Sequence, residues 1–310
     1  MKYVSLGGTG ISVSRLCFGT LTISPLQRGF DVESGAELLK SAHDMGVTFF
    51  DTAEIYGTYA HLKKAFSATS DVVISTKSYS YDTSTAKKSL DKARRELGRD
   101  VIDIFMLHEQ ESEYTLRGHR EAIDYFIDMK QKGIIKAFGV STHFSACVSA
   151  AARHPEIDVV HPIYNIRGLG VADGGREEME AAVRLAYNAG KGIFAMKPLG
   201  GGHMCSSPRE ALEYAADSPY VHSVAVGMQT IEEIRENCAF FSGKRDIMFS
   251  PKGQRRLMIH DWCEACGSCV KACGSGALSL ENGKVVIDQR RCIFCGYCGA
   301  ACPQFAIKVI

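Results

Sequence analysis

Val72-Val73-Ile74-Ser75-Thr76, a helix-periodic run over 83–97, and Ile102-Asp103-Ile104-Phe105-Met106-Leu107 form the stretch that decides the fold. The outer pieces are short apolar runs rich in β-branched residues, as in strands buried on both faces. The piece between them has the length and period of the crossover helix that joins two parallel strands. The same unit recurs in both directions. Strand candidates lie at 16–19, 48–51, 72–76, 102–107, 137–140, 159–161, 193–196 and 223–226. Helical patterns follow them at 32–45, 58–66, 83–97, 117–132, 144–153, 176–188, 208–216 and 231–240. Asp31 and Thr230 read as N-caps, and Gly46 and Gly133 as terminators. Eight strand–helix units within residues 1–245 predict an α/β fold, a (β/α)8 TIM barrel. Residues 3–6, Gly7-Gly8 and 11–13 read as a hairpin closing its bottom. A doubly wound sheet competes, but it asks for Gly-x-Gly-x-x-Gly on its first turn. Gly7-Gly8-Thr9-Gly10 and Gly168-Leu169-Gly170 only approach that pattern.

Past the barrel the cysteine usage changes. Of twelve cysteines, Cys17, Cys147, Cys205 and Cys238 are scattered, whereas eight crowd between positions 263 and 302. Clustering of this kind, with no basic-then-apolar export signal at the start of the chain, reads as metal ligation and not as disulfides. Cys263, Cys266, Cys269 and Cys273 follow C-x2-C-x2-C-x3-C, and Cys292, Cys295, Cys298 and Cys302 repeat it, with Pro303 behind. Two-residue gaps bring three thiolates round one tight loop, as a cubane cluster needs, and leave the fourth ligand to come from elsewhere. Structural zinc prefers two separated pairs of ligands, which disfavours that metal. Between the repeats, 277–280, Glu281-Asn282-Gly283-Lys284 and 285–287 read as a hairpin with an Asn-Gly turn.

This segment resembles bacterial two-cluster ferredoxins, in which each repeat lends its fourth thiolate to the other cluster. The resemblance implies two [4Fe–4S] clusters. One would lie on Cys263, Cys266, Cys269 and Cys302, the other on Cys292, Cys295, Cys298 and Cys273. Gly274 stands where the pattern usually has proline. Residues 257–310 are thus expected to be a small α+β ferredoxin-like unit, with 246–256 as linker.

Composition narrows the function classes. A net charge of +1 gives no basis for binding nucleic acid or an anionic membrane. No run of about eighteen apolar residues is present to span a bilayer. The expectation is a cytoplasmic protein acting on small molecules.

In a barrel, chemistry sits at the C-terminal strand ends. There the chain places Asp51 and Tyr56, Lys77 and His108, after the second, third and fourth strands. Phe49-Phe50-Asp51-Thr52-Ala53-Glu54-Ile55-Tyr56-Gly57, Ile74-Ser75-Thr76-Lys77 and Phe105-Met106-Leu107-His108 resemble the aldo-keto reductases. Gly139-Val140-Ser141, Tyr164-Asn165, Pro198-Leu199-Gly200 and Glu236-Asn237 extend the likeness over residues 1–245. The resemblance implies reduction of a carbonyl, or oxidation of an alcohol, with NAD(P)H. Tyr56 would be the general acid and Lys77 would lower its pKa. Asp51 would pair with Lys77, and His108 would orient the carbonyl oxygen.

The resemblance also implies a nicotinamide site on Gly19, Thr20, Ser141, Thr142, His161, Met196, Pro198, Leu199, Gly200, Gly227, Glu236 and Asn237, with several departures. His161 replaces a glutamine, Thr142 an asparagine, and Met196 an aromatic residue. Gly227 and Glu233 stand where NADP-binding members carry cations, so NAD versus NADP stays open. Lys197 is a candidate charge near the pyrophosphate, and Gly200 to Gly202 either a phosphate loop or a plain flexible one. Cys205, His143, His203 and His222 are read as ordinary residues. Hydride moves two electrons and each cluster one, which leaves three readings. The barrel is a carbonyl reductase with ancillary clusters; or the clusters exchange electrons with the barrel site or with a ferredoxin or flavoprotein partner; or the chain is a non-catalytic electron-transfer or scaffold subunit.

Overall fold

The computed structural model describes residues 1–67, 69, 71–205, 207–249, 255–294 and 296–310. Strands β1 (Tyr3–Ser5) and β2 (Ser12–Ser14) pair antiparallel, with Tyr3 opposite Ser14. There follow β3 (Leu16–Gly19), β4 (Phe49–Asp51), β5 (Val73–Ser78), β6 (Ile102–Leu107), β7 (Ile135–Thr142), β8 (Val159–Pro162), β9 (Gly192–Ala195) and β10 (Ser223–Val226). Each pairs with the next and β10 returns to β3, closing the expected (β/α)8 barrel. Inside it, Cys17, Phe49, Ile104, Met106, Val159 and Phe194 pack with Leu6 and Val13 of the hairpin. Gly8 N donates to Gly190 O at 3.0 Å, so the hairpin does plug the bottom.

The helices pack outside. Thr83–Leu97 buries Ala86, Leu90, Ala93 and Leu97, one stripe of a 3.6-residue period. The Asp82 carboxylate accepts from Thr85 N at 2.8 Å, a cap worth about 1 kcal/mol. Asp31 and Thr230 cap as expected, accepting from Ser34 N and Glu233 N. The single helix expected over 117–132 is two, Glu113–Gly118 and Arg120–Gln131. Ser112 and Thr115 form a capping box that starts a helix earlier than the periodicity indicated, and it breaks at Gly118-His119.

The C-terminal unit holds β11 (Leu257–Ile259), β12 (Leu278–Glu281), β13 (Lys284–Ile287) and β14 (Ile307–Val309). β12 and β13 form the expected hairpin. Asn282 and Gly283 have φ of 49° and 72°, the left-handed pair that a type I′ turn requires. β11 pairs with β14, joining the two ends of the unit. Part of the expected 246–256 linker, residues 250–254, lies outside the described residues. No helix among the described residues is long and apolar enough to cross a membrane.

The two units share a seam. Val309 N donates to Gly201 O at 3.0 Å, and His203 Nε2 donates to Ile307 O at 2.8 Å. Phe305, only 6% exposed, belongs to the barrel's own hydrophobic core. The glycine run explains itself here. At Gly202, φ is +90° and a Cβ would stand 2.0 Å from Val309 O, so only glycine lets the last strand approach.

Candidate active site

Asp51 ends β4, Lys77 lies one residue from the end of β5, and His108 directly follows β6. Tyr56 ends a 3-10 turn, Glu54–Tyr56. The parallel register sets Asp51 beside Ser75 and Lys77 beside Met106, which brings the carboxylate and the ammonium together. Lys77 Nζ donates to Asp51 Oδ1 at 2.9 Å, to Asp51 Oδ2 at 2.7 Å and to Thr52 O at 2.7 Å. All three of its N–H groups are engaged. Asp51 Oδ1 also accepts from Ser75 Oγ at 3.0 Å. Burial alone would raise the Asp51 carboxyl, but the Lys77 ammonium and His161 hold it down at about 2.

Tyr56 lies over this pair, its ring centroid 5.1 Å from Lys77 Nζ. The expected lowering of its pKa is not what the arrangement gives. Burial, then the Asp51 charge, pushes the phenol well above its usual value. The reason is that every Lys77 donor is committed to Asp51 and Thr52. His108 meets Tyr56 edge-on at 5.8 Å and stacks on Tyr79 at 4.6 Å. Burial and Lys77 hold it well below an ordinary histidine, so it is neutral near pH 7, and its Nδ1 has no partner among the described residues. The four expected catalytic residues therefore converge, with a protonated phenol, a neutral imidazole and a locked ion pair. Sequence reasoning missed Tyr79, whose hydroxyl donates to Glu109 Oε2 at 2.6 Å.

The expected nicotinamide residues are dispersed around the same mouth. His161 turns inward: Nδ1 donates to Phe194 O at 2.6 Å, and Nε2 lies 3.7 Å from Asp51 Oδ2. It buttresses the ion pair instead of presenting a free nitrogen to a carboxamide. Ser141 Oγ accepts from Glu109 N at 3.0 Å, and Thr142 Oγ1 accepts from Phe144 N at 2.8 Å. Gly19 and Thr20 lead out of β3, and Thr20 Oγ1 is 2.9 Å from Thr58 Oγ1. Met196 packs against the core, and Pro198 and Leu199 follow in its loop. Gly200 and its neighbours carry the seam described above. At the opposite rim Gly227 is exposed beside Thr22, Glu236 is partly buried, and Asn237 Oδ1 is a buried acceptor without a partner among the described residues. An unpartnered acceptor there fits the amino group of an adenine. Glu233 accepts from Gln229 N at 2.7 Å. Burial raises its carboxyl against the opposing pull of Arg255 and Arg28.

In the C-terminal unit the two cysteine repeats fold alike. Ala265 and Phe294 have φ of 52° and 54°, and each repeat continues into a short helix, Ser268–Lys271 or Tyr297–Ala300. Ala277 N donates to Cys273 Sγ at 3.2 Å, and Ala306 N donates to Cys302 Sγ at 3.3 Å. Such N–H···S bonds favour thiolates, the form that binds iron. Cys273 lines one cavity with Cys292, Cys298 and His203. Cys269 is buried in the unit's small core, and Cys302 packs against that core. Cys266 is exposed, and Cys295 lies outside the described residues.

Residues 15–207 match the model of the Aldo/keto reductase family, and residues 256–303 that of the 4Fe-4S dicluster domain. The chain belongs to the aldo/keto reductase family and carries an iron–sulfur domain at its C-terminal end. It is 26% identical over 233 residues to the 6-dehydroglucose reductase of Novosphingobium aromaticivorans, covering 68% of this chain and 72% of that one. L-galactose dehydrogenase of Arabidopsis thaliana is 23% identical over 283 residues, covering 76% and 86%. An Arabidopsis thaliana protein named as a probable voltage-gated potassium channel subunit beta is 26% identical over 219 residues, 65% of each chain. Among solved structures, an aldo-keto reductase from Bacillus halodurans superposes with a TM-score of 0.67 at 18% identity, covering 82% of this chain and 93% of that one. That likeness is of fold.

Proposed function

We propose that the protein reduces the carbonyl of a small molecule, or oxidises the corresponding alcohol, with NAD(P)H and with Tyr56 as general acid. The observation that carries this reading is the constellation of Asp51, Tyr56, Lys77 and His108 at the strand ends, built round an ion pair with 2.7 Å geometry. A phenol held above its usual pKa is protonated at neutral pH, the state needed to donate to a developing alkoxide. Neutral His108 donates an N–H to the carbonyl oxygen, polarising it without itself losing a proton. Tyr56 gives its proton to the developing alkoxide, solvent returns a proton to the phenolate that remains, and Lys77 with Asp51 holds the floor of the site in place. The nicotinamide, when bound, supplies hydride to the carbonyl carbon. Ser141, Thr142 and Met196 would hold its ring end, and Gly227 and Asn237 the adenosine end. Cys263, Cys266, Cys269 and Cys302 would hold one [4Fe–4S] cluster, and Cys292, Cys295, Cys298 and Cys273 the other.

The test is anaerobic oxidation of NADH and NADPH by cluster-loaded protein over a panel of aldehydes and ketones. Tyr56→Phe should lower turnover by about 10²- to 10⁴-fold. A scaffold would not respond to that change. A second reading, in which the clusters pass electrons to or from the barrel site or a ferredoxin or flavoprotein, is favoured by Phe305. This residue lies three positions beyond Cys302 and packs in the barrel core. Cluster reduction by a reduced ferredoxin or flavoprotein that drives turnover without NAD(P)H would support it, and a micromolar affinity for NADPH with clusters inert to every such donor would exclude it.

A further inference from the structure

The barrel mouth holds two cations that the tetrad chemistry does not use. Lys197 follows β9 and Met196, and Lys308 is the middle residue of β14. Both ammoniums sit over one ring: Lys197 Nζ is 5.9 Å and Lys308 Nζ 3.0 Å from the Phe305 centroid. Lys308 is 7% exposed. Its Nζ donates to Phe305 O, a neutral group. Lys197 Nζ donates to His143 Nε2 at 2.5 Å. Burial and the two lysines keep that histidine well below its ordinary range, so it accepts as a neutral base. Among the described residues neither lysine has a carboxylate within ion-pair distance.

An ammonium largely withdrawn from water with no carboxylate in contact is costly, most of all for the buried Lys308. Two beside each other add mutual repulsion. The backbone is also committed to the arrangement: Lys197 and Phe305 have φ of 54° and 47°, in the left-handed region that ordinary side chains avoid. The turn at Phe305 is shared with Gly276 of the first repeat, whose φ is 61°, whereas the turn at Lys197 belongs to the barrel loop alone. Glu109 attracts both ammoniums and Cys302 attracts Lys308, but from beyond ion-pair distance, so among the described residues the face between the two lysines has no anion in contact with it.

We propose that Lys197, Lys308 and the His143 anchor form an oxyanion-binding subsite at the barrel mouth, and that it holds a carboxylate carried by the carbonyl substrate. The carboxylate part rests on the carbonyl-reductase reading; the anion site itself does not. A substrate group is favoured over the pyrophosphate of the dinucleotide because of position. Lys197 bonds to His143, directly past the end of β7, and follows β9, so it stands on the same strand-end face of the barrel as Lys77 and His108. The anion therefore belongs beside the reacting atoms. The preferred substrates are oxo-acids, and the iron–sulfur unit contributes one of the two groups that select them.

The test uses cluster-loaded protein under anaerobic conditions. Calorimetric titration with succinate needs no turnover and reads the site alone. Wild type should bind succinate, and Lys197→Met and Lys308→Met should each weaken it by about tenfold to a hundredfold, the worth of one charge-assisted hydrogen bond. Lys308→Arg should retain binding within a few-fold, which separates lost charge from lost fold. Lys284→Met, on the exposed hairpin, should change nothing. In turnover, succinic semialdehyde should show a lower KM than butanal, and the difference should vanish in Lys308→Met. No succinate binding by wild type, or binding untouched in both methionine variants, overturns the proposal. So does a loss confined to ADP-ribose with succinate unaffected, which would give the lysines to the dinucleotide. Succinate binding that depends on both lysines in a protein inactive on every carbonyl would uphold the site and sink the reductase reading instead.

Discussion

Removing one partner of the Asp51–Lys77 pair should be far more damaging than removing both. In Lys77→Met the Asp51 carboxylate, 4% exposed, keeps among the described residues only Ser75 Oγ at 3.0 Å and His161 at 3.7 Å. An uncompensated buried charge costs about 3–5 kcal/mol. Asp51→Leu strands the Lys77 ammonium against Thr52 O and should cost a similar amount. In the double variant Asp51→Leu/Lys77→Met two apolar side chains fill the space, and the net change should fall to about 1 kcal/mol or less. The coupling energy is then about 5 kcal/mol or more. An independent scale comes from acid. The carboxyl titrates at about 2 instead of its ordinary 3.8, worth about 2.5 kcal/mol. A depressed carboxyl stabilises the fold above its unfolded pKa, so this contribution is complete above about pH 4 and is lost as pH falls through about 2. The assay is anaerobic urea unfolding of cluster-loaded protein. Far-UV circular dichroism follows the barrel, and Trp262, the single tryptophan, reports separately on the C-terminal unit. Single variants that each cost under about 1 kcal/mol, or a double variant equal to their sum, would refute the claim that the pair is one locked element.

Gly202→Ala should open the seam. A left-handed alanine costs about 1–2 kcal/mol, and its Cβ would displace Val309 O; faster proteolysis within 246–256 at unchanged barrel dichroism is expected, and an unchanged cleavage rate would count against it. Phe305→Ala should destabilise by about 3–5 kcal/mol, read as a lower urea midpoint in the barrel signal; a change confined to Trp262 would place the ring outside the barrel core. Succinate affinity should fall as pH rises through about 8, because burial lowers the Lys197 ammonium to about 8 and only its charged form binds. His143, Lys308, Glu109 and Lys77 face it and must be held constant in interpreting that profile; an affinity flat from pH 7 to 9 would remove Lys197 from the site.

Much of this architecture could be read from local pattern. Period and length gave the eight strand–helix units, and the strand-end rule gathered Asp51, Tyr56, Lys77 and His108 before any distance was known. The Asn282-Gly283 turn was equally legible, since its conformation depends on two adjacent residues. What local pattern misses is contact between distant segments. Nothing near Lys197 indicates that it shares a ring with Lys308, more than a hundred residues on. His143 and His203 looked ordinary because their partners, Lys197 and Ile307 O, come from other elements. The run Gly200 to Gly202 suggested a phosphate loop or slack chain, whereas its cause is the close passage of Val309. The Tyr56 pKa ran opposite to expectation for a related reason: an ammonium bonded to a carboxylate and a carbonyl has no donor left for a neighbour.

The placement of Phe305 bears on how the molecule holds itself together. Its ring completes the hydrophobic packing of the barrel, yet it is carried by the loop that begins at Cys302, a thiol expected to be tied to iron. If Cys302 holds iron as proposed, metal retention and barrel integrity become one cooperative event. A chain stripped of iron would expose the apolar seat of Phe305 and release two repelling ammoniums at the mouth. Such a chain would differ from the loaded form in its tendency to aggregate and to be degraded, so the quality of iron loading would be read out as protein lifetime.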